Sequence, residues 1–187
     1  LEAAAKEFGD DRRTKIIERA AAVAIDETEL VTSEPVTVIL SERGWVRAAK
    51  GHEIDPTSIS YKTGDAFLAA AKGKSTQQAV FLDSTGRTYT LIAHSLPSAR
   101  GNGEPLSGRL DPPEGATFSG VLIGEPTEKC VLASDAGYGF VVPIGELHSR
   151  NKAGKAVLKV PEGSKSLAPA LVPSEDALIC ATSSEGK

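Results

Sequence analysis

One short phrase, written four times, restricts what this chain can fold into. Val38–Gly44, Val80–Gly86, Val131–Gly137 and Cys180–Gly186 align without a gap as three apolar or small residues, a polar pair, one free position and a glycine. Each reads as a strand running into a tight turn, because glycine can take the positive φ that closes such a turn without a Cβ clash. The turn glycines Gly44, Gly86, Gly137 and Gly186 stand 42, 51 and 49 residues apart. A second landmark keeps the same phase. Gly64, Gly115 and Gly163, separated by 51 and 48 residues, each follow a polar or charged residue and open a stretch of small or alternating apolar residues. Unrelated hairpins would explain one such match. Four in register predict a propeller-like repeat, in which each unit buries its apolar face only against its neighbours.

The repeat places units at about 35–78, 79–127 and 129–177, with a fragment at 178–187. Three units and a fragment predict an arc rather than a closed ring. The 187 residues include only 5% aromatics, with 18 Gly and 11 Pro, which suits many short strands better than one large core. The fold class expected is therefore all-β with an N-terminal α-helical segment. Residues 1–33 form that segment and a linker, and 34–187 form the β region. Alanines at 3–5, 20–22 and 24 favour helix from Leu1 to about Glu29, with Asp10 or Asp11 capping a second stretch after Gly9. Asp65–Ala71 has the alanine content of a helix, but the repeat register assigns it to a strand. Trp45 shares its post-turn slot with Arg87 and Tyr138 and is expected to pack. No Met occurs, not even at the start, so the chain reads as a piece of something longer.

Catalytic signals are weak. His52, His94 and His148 fall at non-equivalent points, and no G-x-S-x-G elbow occurs. Gly73-Lys74-Ser75 ends like a P-loop but lacks the upstream glycine. The two cysteines, Cys130 and Cys180, form no C-x-x-C pair, so they read as small core or edge residues and no metal site is expected. No apolar run approaches membrane-spanning length and no signal peptide is present, which predicts a cytoplasmic protein without membrane contact.

Charge is more informative in its distribution than in its total of −4. Residues 34–110 carry net +2, while 1–33 and 111–187 each carry net −3. Within the last stretch Arg150, Lys152, Lys155, Lys159 and Lys165 form a basic run interrupted only by Glu162. Arg100 and Arg150 recur at the matching loop of consecutive units. Arg47, Lys50, Lys72, Lys74, Arg109, Lys152 and Lys155 fall in nearby loops or on hairpin edges. If the units fan about an axis, these nine residues line one rim. A curved positive track of that kind would hold duplex DNA through its phosphates, with no base reading. Two other readings stand beside it: a propeller-like scaffold for protein partners, whose basic residues only solubilise it, and a small all-β enzyme.

Several of these stretches together resemble a known family. Phe8-Gly9-Asp10-Asp11-Arg12-Arg13-Thr14-Lys15-Ile16 is similar to the segment that ends the coiled-coil region of bacterial type IIA topoisomerase A subunits. Glu34–Arg47 with Ala49–His52, then Val80–Arg109 including Ser98-Ala99-Arg100-Gly101-Asn102-Gly103-Glu104-Pro105-Leu106, then Ala133–Phe140, resemble the C-terminal domain of the topoisomerase IV branch. The resemblance spans essentially the whole chain. It implies a β-pinwheel, whose blades exchange strands with their neighbours, and DNA running along the outer blade edges. It implies sequence-nonspecific duplex binding and bending that presents DNA to a strand-passage core for decatenation and supercoil relaxation, in the cytoplasm at the nucleoid. The implied partners are duplex DNA, the B subunit of a heterotetramer and a second A subunit held through regions mostly outside this segment. No cofactor is expected here, ATP and Mg belonging to the B subunit. No catalytic centre is expected either, and Tyr61, Tyr89 and Tyr138 match pinwheel positions rather than the strand-cleaving tyrosine. The Q-R-R-G-G-K-G box of gyrase A is missing, which favours the topoisomerase IV branch over the gyrase A C-terminal domain, the nearest alternative.

Overall fold

The computed structural model of the chain describes residues 2–9, 32–174, 176–178, 180 and 182. The chain divides into two compact units, Leu1–Leu30 and Val31–Lys187. In the first, helix α1 covers Glu2–Phe8, with three alanines among its seven residues. The remainder of the expected helix, and the turn of the fourth repeat at 183–187, lie outside the described residues.

The second unit is built from short strands. The first sheet takes β1 (Pro35–Ser41), β2 (Trp45–Lys50) and β3 (Phe67–Lys74), and the second takes β4 (Gln78–Asp83), β5 (Arg87–Ile92) and β7 (Phe118–Ile123). The third takes β8 (Lys129–Ala133), β9 (Gly139–Pro143) and β11 (Ala170–Leu171). Each opens as the expected hairpin in one shared register, pairing Leu40 with Val46, Leu82 with Thr88 and Ala133 with Gly139. All six described landmark glycines have φ between +74° and +83°. The polar residue that ends the apolar run staples two of the turns. Ser41 Oγ accepts the Trp45 N–H at 3.0 Å, and Asp83 Oδ1 accepts the Arg87 N–H at 2.9 Å. The alanine-rich stretch after Asp65 is strand β3, with Ala70 opposite Ile39. Pairing and packing overrule its helical propensity.

Two short strands cross between units. β6 (Glu104–Pro105) belongs to the second repeat but pairs with β2, setting Val46 opposite Glu104. β10 (Lys155–Ala156) belongs to the third repeat but pairs with β5, setting Thr88 opposite Lys155. The sheet orders are therefore β3-β1-β2-β6, β10-β5-β4-β7 and β11-β8-β9. Among the described residues, no strand lies on the free edge of β9.

Stacking explains why the strand sequences are almost continuously apolar: the middle sheet is buried on both faces. Side chains alternate along a strand, so Ala79 and Phe81 join Val38, Leu40 and Tyr89 in one core, while Val80 and Leu82 join Cys130, Leu132, Ile144 and Leu147 in the next. Phe118 meets Phe81 and Tyr89 edge to face, with ring centroids 6.4 Å and 5.8 Å away. Each fully buried side chain of this size stabilises the array by about 1.5–3 kcal/mol. Among the described residues the far side of the third sheet has no such cover, and Val141, which stands there opposite Val131, remains 48% exposed.

The same burial separates the two cysteines. Both are free; Cys130 is buried and Cys180 exposed. Burial pushes the Cys130 thiol up to about 11, so it carries almost no thiolate at neutral pH. With a thiol-alkylating reagent at neutral pH, Cys180 is expected to label in the folded chain and Cys130 only after denaturation. Equal labelling of both by mass mapping would contradict this packing.

Candidate nucleic-acid interface

The loops that carry the two crossing strands dock at equivalent places. In the second repeat, the Ala48 N–H donates to Pro97 O at 2.8 Å and the Ala99 N–H to Ala48 O at 2.9 Å. In the third, the Ser149 N–H donates to Thr90 Oγ1 at 3.0 Å. Ala48 and Thr90 are register equivalents, opposite Val38 and Val80. Arg100 and Arg150 each follow the docked residue, and both are exposed. Each loop leaves an open cleft against the preceding sheet. The first, about 540 Å³, is lined by Ala49, Lys50, Ile54, Ser98, Ala99 and Arg100. The second, about 410 Å³, is lined by Gln78, Thr90, Ile92, His148, Ser149 and Arg150.

The nine basic residues named from the sequence divide by what holds them. Arg100, Arg150, Lys152, Lys72 and Lys74 are exposed, and among the described residues their side chains have no carboxylate partner. Lys152 sits on a fixed backbone, its carbonyl accepting the Asp111 N–H at 2.9 Å. Lys72 and Lys74 stand on β3 opposite Thr37 and Pro35, flanking the row that sets Lys50 opposite Val36. Lys50 Nζ lies 2.9 Å from Glu34 Oε2, with the two side chains 85% and 47% exposed. A pair that open to water is worth little and exchanges readily for another anion. Lys155, exposed on β10, donates to the Glu146 carbonyl at 2.6 Å. Arg109 is half-buried, paired with Glu104 on β6 and donating to Ser95 Oγ at 3.2 Å. It ties the crossing strand to the rest of its own repeat.

Arg47 is a correction. It is only 4% exposed, its guanidinium donating to Gly101 O at 3.1 Å and Ser60 O at 2.9 Å. The Tyr61 ring lies 4.7 Å from its Cζ. Those bonds and the cover above leave no face for a phosphate, and Arg47 holds the return loop instead. A signal for this existed in the repeat. Arg47 stands opposite Ile39 as Tyr89 stands opposite Phe81, in the slot beneath the next loop.

His148, one of the three histidines at non-equivalent points of the repeat, lines the second cleft beside Arg150. Its Nε2 is buried without a hydrogen-bond partner, and burial lowers its basicity below the ordinary histidine range. It adds no positive charge to the cleft at neutral pH. The lysine row on β3 is also not repeated: Ile123, opposite Ala79, takes the place that Lys72 takes opposite Thr37. The arginines recur from unit to unit, whereas those lysines do not.

No family model matches the chain. It is 59% identical over 184 residues, 98% of its length, to the A subunit of DNA topoisomerase 4 from Pseudomonas aeruginosa. It is 48% identical over its whole length to the protein of the same name from Escherichia coli K12. The solved structure described as that of the E. coli ParC C-terminal domain superposes with a TM-score of 0.71 at 52% identity, covering 76% of this chain and 58% of that one. The chain belongs to the topoisomerase IV A-subunit family. It spans about a quarter, 24–25%, of the length of the curated relatives it matches, and its β region has the β-pinwheel fold of part of the solved C-terminal domain. The crossing of β6 and β10 into neighbouring sheets is the strand exchange expected of that fold. In this topoisomerase IV A-subunit domain, two of the tyrosines hold structure together. Tyr89 donates its buried hydroxyl to Asp83 Oδ2 at 2.7 Å, and Tyr61 donates to Pro56 O at 2.6 Å beneath Arg47. Among the described residues, no group of three or more His, Cys, Asp or Glu side chains could hold a metal ion. No helix there is long and apolar enough to cross a membrane.

Proposed function

We propose that this pinwheel domain binds duplex DNA through its phosphates, without reading bases, and bends it along the blade edges. The observation that carries the reading is the recurrence of an exposed arginine, Arg100 then Arg150, at the lip of equivalent clefts on consecutive sheets. A ligand with a repeating anionic backbone suits charges that repeat with the fold. Arg100, Arg150 and Lys152 are the main contacts, Lys72 and Lys74 extend the track on the first sheet, and Lys50 joins once DNA displaces Glu34. Lys155 and Arg109 contribute field from their bonded positions. In the whole protein, this domain presents a duplex to the strand-passage core, in decatenation and supercoil relaxation at the bacterial nucleoid. The parent would be an isomerase: an A-subunit dimer paired with a B subunit that supplies ATP and Mg, with no cofactor held by this segment.

Each phosphate contact releases condensed counterions, so binding should weaken steeply with salt. Replacing Arg100, Arg150 and Lys152 together by alanine is expected to flatten the log–log salt slope by about two to three units. Titrating plasmid or linear duplex DNA at several salt concentrations measures it, and an unchanged slope would remove all three as contacts. A second reading, docking of a protein partner, has one observation in its favour. Val131, Val141, Ala170 and Leu171 line one open apolar cleft on the third sheet, and Val141 and Leu171 are 48% and 47% exposed. A partner taken through that patch would bind with little dependence on salt.

A further inference from the structure

The chain holds two asparagines, Asn102 and Asn151, at the tips of the two equivalent return loops. Their local chemistry differs. Asn151 Oδ1 accepts the Ala153 N–H at 3.1 Å, and the next residue is Lys152. Asn102 is exposed, its side-chain amide makes no hydrogen bond among the described residues, and the next residue is Gly103. Gly103 precedes the β6 ladder, which begins at Glu104. A glycine on the C-terminal side leaves its peptide nitrogen unshielded by any Cβ.

We propose that Asn102 is a site of spontaneous deamidation in the folded domain. Hydroxide removes the Gly103 peptide proton, and that nitrogen attacks Asn102 Cγ. The new C–N bond closes a succinimide ring as the Cγ–NH2 bond breaks, and the amide leaves as ammonia after taking a proton from water. A second water opens the ring at one carbonyl or the other, giving aspartate or isoaspartate. No oxidant, reductant or cofactor is needed.

The position gives the reaction consequences. Either product sets a carboxylate two residues from Arg100 and two from Glu104. Isoaspartate also lengthens the backbone by one carbon immediately before Gly103. That glycine has φ +81° and lies tight against Val46, where even a Cβ would collide with the Val46 carbonyl. Arg47 holds Gly101 O on the other side. Gly103 cannot take up the added length where it lies against Val46, so the strain falls on the pairing of β6 with β2. Asn102 thus couples chemical age to attachment of the crossing strand. It also couples age to the charge of the first cleft, and only that last consequence rests on the DNA reading.

The test is peptide mapping of the folded chain aged in mildly alkaline buffer at physiological temperature, with Asn151 as internal control. The Asn102 peptide is expected to gain about one dalton and split into aspartyl and isoaspartyl forms, at least about tenfold faster than the Asn151 peptide. Conversion of Asn102 no faster than Asn151 while the chain stays folded would overturn the proposal. So would equal mass gain elsewhere in the chain in an N102Q variant. The aged, isoaspartate-bearing fraction should melt earlier than fresh protein, and an unchanged melting temperature would overturn the coupling to β6. DNA binding of the same fraction is measured separately. Its failure to change would count against Arg100 as a contact, leaving the mass result untouched.

Discussion

Gly86→Ala is expected to destabilise the pinwheel by about 3–5 kcal/mol, while the equivalent Gly137→Ala costs only about 1–2 kcal/mol. The two glycines close the same turn in consecutive blades with nearly the same φ, +83° and +82°. The conformational cost of placing an L-residue there is therefore shared. Their surroundings are not. A Cβ on Gly137 meets nothing within 4 Å, whereas one on Gly86 runs into the Leu158 carbonyl and side chain. That carbonyl cannot retreat cheaply, because the Val157 and Leu158 N–H groups both donate to Gly86 O at 3.0 Å. The difference between the two variants isolates the contact between the second and third repeats. Urea unfolding of both measures it, and equal losses would mean that the clamp at Leu158 carries no stability.

Asp83→Ala should cost about 3–4 kcal/mol, through a different mechanism. Asp83 is fully buried. Its Oδ1 accepts the Thr85 N–H at 2.9 Å, the Thr85 hydroxyl at 2.7 Å and the Arg87 N–H at 2.9 Å, while Oδ2 accepts the Tyr89 hydroxyl. Alanine removes every acceptor at once and leaves the buried phenol unpaired. Tyr89→Phe is the milder change, about 1–3 kcal/mol, and it has a pH signature. Burial first, and the Asp83 carboxylate second, raise the Tyr89 pKa well above its usual 10.0. The unfolded phenol ionises near its ordinary value while the folded one stays neutral. Stability is thus fully present below about pH 10 and falls as pH rises beyond it. Denaturant midpoints measured on both sides of that value should drop for the parent chain and much less for Tyr89→Phe. Parallel losses in the two proteins would assign the alkaline fall to other groups.

Turn chemistry and register were written in the residues. A glycine after a polar pair can close a hairpin only one way, and repeating it four times in phase leaves little freedom about the kind of array that results. The phase of the repeat likewise marks β3 as a strand, although Phe67–Lys74 holds three consecutive alanines. The repeat also explains why both faces of Val80–Leu82 are apolar: neighbours cover both sides. The pairing of Arg100 with Arg150 could be read too, since equivalent loop positions follow from counting within a repeat.

What holds each cation was decided only in three dimensions. Arg47 shares a repeat slot with Tyr89 and Arg100 shares one with Arg150, but the fold alone puts the first beneath the Gly101 and Ser60 carbonyls and the second in water. Arg109 is spent on Glu104, Lys155 on a backbone carbonyl, and Lys50 on a loose surface pair. A long charged side chain can reach partners far along the chain, so its freedom depends on which segments folding brings within a few ångströms. A turn closes within four residues, so its chemistry is local and legible. Arg47 and Gly101 lie 54 residues apart, and only the exchange of a strand between blades makes them neighbours.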